Sequence, residues 1–466
     1  MPFLSRFVRI FALSAATIFC TTLVQAADTT TTALQSKINH VIVIYQENWS
    51  FDGLYGNFPG ANGIANAGDA LNQIDKEGRP LKTLKRPLDT CLKPPVPDLR
   101  FPEQMPAKPY DLARYVPGNE KTGDLVHRFY QNQLQIDGGK MDKFATWSDN
   151  PGLVMSYVDA GDLPEGKLAR QYTLADNFFQ AAFGGSFLNH FWLICACTPV
   201  WPDAPPLMRA KLDSKGILEE DGAVTPDGFV VNTSYSVNQP HPKGAKDLVP
   251  PQTQPTIGDR LTEKNLSWTW YSGGWNDAVA GKPAGDFQFH HQPFAYFANF
   301  SDNTVAKAAH LKDENDFLTD LNKGALASVS FIKPIGSYNE HPGYSALLFG
   351  QLHVAELVKA VQESPYWNDS VIIITYDENG GRWDHVAPPK GDRWGPGTRV
   401  PAIIISPFAK KGFVDHTQYD TTSILKFIER RWNLAPLGTR DAAANDLSNA
   451  LDLSTVPLKG DDPRTR

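Results

Sequence analysis

Asp377 and Glu378 stand side by side after an apolar, β-branched run, Ser370-Val371-Ile372-Ile373-Ile374, and are followed closely by Gly380 and Gly381. Carboxylates at the end of a buried strand are unfavourable unless they are paired or bind a cation, and the glycines let the chain turn away and leave them presented. A second apolar run, Asn39 to Ile44, leads to Glu47 and Asn48, an anionic and a neutral oxygen donor of the kind a hard cation takes. Gly184-Gly185-Ser186 precedes an apolar helical stretch, which puts Ser186 at or near a helix N-cap. The ordinary reading of that serine is a cap; the chemical one is a nucleophile where free backbone N–H groups and the helix dipole suit a phosphate. His127, His341 and the adjacent His290 and His291 are polar groups of the type that grip phosphoryl oxygens. A lone helical histidine is more often structural, and Glu47 with Asn48 serves equally well as a cap. Together, however, these residue types fit phosphoryl transfer to a serine assisted by a metal.

The elements that would gather them read as alternating strands and helices. Strands are expected at Asn39–Ile44, Ser267–Tyr271, Ser328–Ile332, Ser370–Ile374 and Val400–Ser406, with a further strand or extended approach at Thr173–Phe179. Helices are expected at Asp124–Tyr130 (carrying His127), Leu163–Tyr172, from Ser186 onward, Thr256–Lys264, Tyr344–Gln362 and Thr421–Trp432. Continuous β-branched strands between helices predict an α/β fold, an α/β/α sandwich on a mostly parallel sheet covered on both faces. Most of the candidate residues follow a strand or open a helix, where ligands bind in open α/β sheets. Two Pro- and Gly-rich stretches, Phe58–Pro117 and Pro199–Pro255, read as large surface insertions, the first of them a possible cover for the site.

The chain has 466 residues, 41% hydrophobic and 20% charged, with a net charge of -7. This is a globular composition with no electrostatic reason to bind nucleic acid. Arg6 and Arg9, the apolar stretch Ile10–Leu23 and Val24-Gln25-Ala26 together fit a secretory signal over residues 1–26. Residues 27–466 then form a single exported domain, periplasmic or secreted. No later stretch is long and apolar enough to span a bilayer, so stable membrane insertion is not expected. Of Cys91, Cys195 and Cys197, an oxidising compartment favours one disulfide, expected from Cys91 to one of the other two, with an odd thiol left. Neither a nucleotide-type phosphate loop nor a His-Glu-x-x-His motif is present.

Glu47-Asn48-Trp49-Ser50-Phe51-Asp52 resembles the Glu-Asn-Arg-Ser-Phe-Asp opening of the bacterial phosphoesterase family of phospholipases C and acid phosphatases. Asp137-Gly138-Gly139-Lys140-Met141, His290-His291-x-Pro293-Phe294 and Tyr376-Asp377-Glu378-Asn379-Gly380-Gly381…Asp384-His385-Val386-x-Pro388-Pro389 resemble its later blocks, in order, from about Asn39 to Trp432. Trp49 departs from the usual arginine, which should alter the rim of the site rather than its ligands.

The resemblance implies an alkaline-phosphatase-like fold and one divalent metal ion, of unspecified identity, held by Glu47, Asn48, Asp377 and Glu378. It also implies Ser186 as nucleophile, with His127, His341 and one of His290 or His291 on the phosphoryl oxygens. Asp384 and His385 would bind a second metal or, preferably, orient the first ligands. Ser186-Phe187-Leu188-Asn189-His190 is similar to the acid phosphatase branch, whereas phospholipase members typically read Thr-x-Pro-Asn-Arg there. No extra C-terminal domain of the kind many of the phospholipases carry is expected after Trp432, which points the same way. The expected function is therefore an exported acid phosphatase acting on a small-molecule phosphate ester, its acidic optimum set by histidines that work protonated near their ordinary pKa of ~6.5. A phospholipase C acting on phosphodiesters such as phosphatidylcholine, and a non-catalytic metal- or phosphate-binding protein, are the alternatives.

Overall fold

The computed structural model describes residues 29–454; the expected signal segment lies outside them. Eight strands form one sheet: β1 (His40–Gln46), β2 (Thr173–Ala175), β3 (Trp268–Ser272), β4 (Leu311–Asp313), β5 (Val329–Lys333), β6 (Ser370–Tyr376), β7 (Ala402–Ile405) and β8 (Phe413–Asp415), in the order β4-β3-β5-β1-β6-β7-β2-β8. All pairings are parallel except those of β7, which runs antiparallel to β6 and β2. β1 lies between β5 and β6 and every residue from Val41 to Gln46 is buried, which is why this strand is apolar throughout rather than alternating.

The two faces of the sheet carry different helices. Tyr45 points to the face covered by α3 (Ser186–Cys195), where its hydroxyl donates to the Asn189 carbonyl. Gln46 and Tyr376, paired across β1 and β6, point to the other face, covered by α4 (Leu347–Gln362) and α2 (Pro164–Gln171). This is the expected α/β/α sandwich. Helix α4 begins at Leu347, and at its Gly350 a Cβ would sit 2.2 Å from Glu340 Cγ. That close approach presses the helix onto the loop that carries His341.

Two expectations are corrected. Asp124–Tyr130 is not a helix: α1 spans Phe129–Ile136, and His127 lies on the extended segment before it. The backbone N–H groups a helix would need are taken by side chains, Asp124 N–H by Thr90 Oγ1 at 2.6 Å and Val126 N–H by Asp149 Oδ1 at 2.7 Å, and such local acceptors compete with helical bonding. The disulfide joins Cys195 to Cys197, not Cys91 to either. Ala196 is left-handed and folds the end of α3 back, bringing the two Cα atoms to 5.1 Å, within bonding range. Cys91 is a free, exposed thiol.

Candidate functional site

The parallel register of β1 and β6 brings their carboxyl ends level, Gln46 opposite Tyr376, so Glu47-Asn48 and Asp377-Glu378 leave the sheet side by side. Gly380 and Gly381 have positive φ, and a Cβ on them would lie 2.6 Å from the Asn48 carbonyl oxygen and 2.5 Å from that of Val126. Only glycine lets this turn pack against both the Asn48 segment and the extended segment carrying His127. Ser186 is the first residue of α3, after the N-cap Gly185. Its Oγ lies 3.4 Å from Glu378 Oε1.

His127 Nε2 is 3.5 Å from the same Glu378 oxygen, and its Nδ1 donates to the Leu125 carbonyl at 2.5 Å. That hydrogen bond turns Nε2 toward Glu378. His341 Nδ1 is likewise tied to the Pro342 carbonyl. Together with His290, His291, Tyr344 and Phe187, these residues line a cleft of about 310 Å³ that Ser186 and Glu47 also border. All nine expected site residues therefore converge at one mouth of the sheet.

The fit to a cation can be tested at Asn48. Its amide oxygen lies 2.9 Å from Glu378 Oε1 and 3.3 Å from Asp377 Oδ1, while its nitrogen faces His341 Nε2 at 2.8 Å. Three oxygens crowd together here, an arrangement that needs a proton or a cation between them. Rotated by 180°, the amide would hydrogen-bond both carboxylates and accept from His341; in the other orientation its oxygen joins the carboxylates as a donor to a cation. Asp377 Oδ2 and both Glu47 oxygens, all buried, also lack an aligned hydrogen bond. The oxygen-rich set fits a hard divalent ion.

Lys333, at the end of β5 and fully buried, was not among the expected site residues. Its Nζ is 2.8 Å from Glu47 Oε1 and 3.7 Å from Asp377 Oδ2, and His291 Nε2 closes on the same Glu47 oxygen. The contacts to Glu47 are close in distance but poorly aligned as hydrogen bonds, which is why its oxygens still count as unsatisfied. As the last residue of a strand, Lys333 carries no sequence signal of its role. His190 was also missed: it sits four residues after Ser186 on α3, and its Nδ1 donates to the Ser186 carbonyl at 2.7 Å.

The protonation of these groups follows from burial and neighbours. Burial raises Glu47, but His291 and Lys333 outweigh it and hold the carboxyl well below its usual range. Burial pushes Asp377 up to about 7 against the opposing charge of Lys333, and raises Glu378 well above its ordinary value despite His127. His290 is lowered by burial and by His291, and burial brings His291 down to about 4 despite Glu47. Burial also opposes a charge on His127, yet Glu378 and Asp124 prevail and lift it to about 9. The expected ordinary imidazole pKa is therefore met by none of these three: His127 is shifted up, His290 and His291 down.

Asp384 and His385 lie in a separate buried network. Arg399 Nε is 3.1 Å from Asp384 Oδ1 and its Nη2 is 3.0 Å from Asp52 Oδ1, while His385 Nδ1 contacts Asp52 Oδ2 at 2.6 Å. A guanidinium already supplies the positive charge there, which favours the orienting role over a second metal. The network ties the Asp52 segment to the turn after Glu378.

The phosphoesterase family model matches residues 38–435. Among curated proteins, a non-hemolytic phospholipase C of Burkholderia pseudomallei is 25% identical, covering 90% of this chain and 59% of its own length. Phospholipase C A of Mycobacterium tuberculosis is 25% identical over 91% of this chain and 78% of its own. The chain thus spans little more than half of the first relative. Among solved structures, a protein in the alkaline phosphatase superfamily from Vibrio parahaemolyticus aligns with a TM-score of 0.33 and 11% identity, over 60% of this chain and 63% of that one. With the family model covering the sheet and every residue of the site, the chain belongs to the phosphoesterase family.

Proposed function

We propose that the protein hydrolyses phosphate monoesters through Ser186, with Glu47, Asn48, Asp377 and Glu378 holding one divalent cation beside it. The observation that carries this reading is the meeting of Ser186 Oγ with Glu378 Oε1 at 3.4 Å, beside the buried Asp377 Oδ2 and Glu47 oxygens that lack an aligned hydrogen bond. Ser186 Oγ attacks phosphorus, the ester oxygen leaves opposite, and water then cleaves the phosphoserine. A divalent ion held by these residues would polarise a phosphoryl oxygen and lower the pKa of the serine hydroxyl. His127 contributes positive charge to the phosphoryl oxygens, and the backbone N–H groups at the start of α3 contribute dipoles directed at the same place. Of the adjacent pair, His290 is the one free to reach phosphate, because His291 is engaged with Glu47.

The cleft is lined largely by polar groups, including Asp124, Asp149, Asn232, Thr233 and Gln288, which suits a small water-soluble ester better than an acyl chain. The second reading, phospholipase C, is favoured by the names of the relatives. Hydrolysis of p-nitrophenyl phosphate beside p-nitrophenyl phosphorylcholine separates the two: the monoester is expected to be the better substrate, and a preference for the choline diester would transfer the protein to the second reading. Ser186→Ala should lose at least about 10³-fold in kcat. Retention of a tenth or more of the activity would remove Ser186 as nucleophile.

A further inference from the structure

Glu47 faces a second group of potential ligands besides those proposed to hold the cation next to Ser186. One ligand atom from each of Glu47, His190 and His291 lies within 4.8 Å of the others, and all three side chains are buried. His190 Nδ1 is committed to the Ser186 carbonyl, while His190 Nε2, His291 Nε2 and both Glu47 oxygens have no aligned hydrogen-bond partner. The two imidazole rings stack with their planes 4° apart. Two imidazoles and a carboxylate form a donor set for a divalent transition ion such as zinc.

A fixed cation already stands against this set. Lys333 Nζ is 2.8 Å from Glu47 Oε1 and 3.7 Å from Asp377 Oδ2, and the side chain is wholly buried. An ammonium and a second divalent ion sharing one carboxylate at such distances would repel strongly in a poorly screened interior. The ammonium is covalently attached and cannot leave.

Building on the single cation proposed beside Ser186, we infer that Lys333 takes the place of a second metal ion and confines the site to one divalent cation. Glu47, His190 and His291 then form a latent second metal site that opens when the lysine charge is removed. The lysine also holds Glu47 Oε1, leaving Oε2 as the oxygen available to the resident ion.

Metal content per chain, measured by elemental analysis after equilibrium dialysis against excess Zn²⁺ at neutral pH, tests this without reference to turnover. The wild type is expected to bind one ion, Lys333→Met two, and Lys333→Met combined with His190→Phe one again. Lys333→Arg, which keeps the charge, should remain at one. Two ions in the wild type, or one in a Lys333→Met protein whose circular dichroism is unchanged, would overturn the inference. Should Lys333→Met fail to fold, His190→Gln in the otherwise wild-type chain decides: a count that stays at one supports the inference, and loss of the ion makes His190 a ligand of the resident metal and overturns it. A wild type that binds no metal would sink the single-cation proposal itself. A single ion with Ser186-dependent turnover, unchanged in Lys333→Met, would leave that proposal intact and remove only the role of Lys333.

Discussion

Asp377 and His127 set opposite limits on the pH at which this site can work. Burial holds the Asp377 carboxyl up at about 7 and raises Glu378 as well, so below that pH a cation held as proposed would have to displace protons from these carboxyls. Metal affinity then falls by up to about tenfold per pH unit for each proton displaced. His127, raised to about 9 by Glu378 and Asp124 against the effect of burial, keeps its charge below that value and loses it above. A cation beside Glu378 weakens the attraction that raises His127, so the alkaline limit moves down when metal binds. The two limits predict a bell-shaped kcat/KM profile centred near neutrality, displaced from the acidic optimum that unperturbed imidazoles imply. Raising the metal concentration should push the acid limb to lower pH. An optimum near pH 5 indifferent to metal would refute the linkage. His127→Gln should lower kcat/KM by about 10²-fold and abolish the alkaline limb; an unchanged limb would mean another group controls it. Neither limit was legible in the sequence, because both arise from partners brought in by distant segments.

At the level of elements, the face of the sheet opposite α3 carries a buried acidic pair. Glu165 on α2 and Glu340, one residue before His341, both contact the Tyr376 hydroxyl, at 3.2 Å and 2.7 Å. Burial raises both carboxyls, Glu165 further through the charge of Glu340. Glu340 also has a φ of +72°, a conformation that non-glycine residues hold only when their surroundings enforce it. A carboxyl whose folded pKa lies above its unfolded one keeps a proton that the unfolded chain has lost. Stability is therefore full below the unfolded value, near ~4.4, and declines as pH rises toward the raised folded value. Glu165→Gln should flatten the fall in melting temperature between pH 5 and pH 8. An equally steep fall in the variant would show that the pair does not titrate in this range. The strands and most helices were legible because a buried parallel sheet demands continuous apolar runs. The segment around His127 was not: its composition suits a helix, and of the side chains that keep it extended, Thr90 comes from the Phe58–Pro117 insertion and Asp149 from a loop more than twenty residues downstream. The Cys195–Cys197 bond was missed for a related reason, since it depends on a left-handed turn at Ala196 that no neighbouring glycine announces.

Across the whole molecule, the parallel neighbours β5, β1 and β6 end at a single mouth, where Glu47, Asp377 and Glu378 meet with Lys333 as a fixed buried cation. Such a cluster is stable only if counter-charge offsets what desolvation removes. The apolar sheet beneath supplies the rigidity, and the Arg399 network with Asp52 and Asp384 fastens the turn after Glu378 to the segment after β1. A divalent ion that binds the folded chain and not the unfolded one adds about 2.7 kcal/mol at a hundredfold excess over its dissociation constant. For a chain of this size that amounts to a rise in melting temperature of a few degrees. Chelation should therefore lower the melting temperature by that amount, and restored metal should return it. Ser186→Ala, which keeps the carboxylates, should show the same drop, whereas Asp377→Asn should show little. A melting temperature indifferent to chelator in the wild type would mean that Lys333 and shared protons alone balance the carboxylates, with the Asn48 amide turned to hydrogen-bond Asp377 and Glu378.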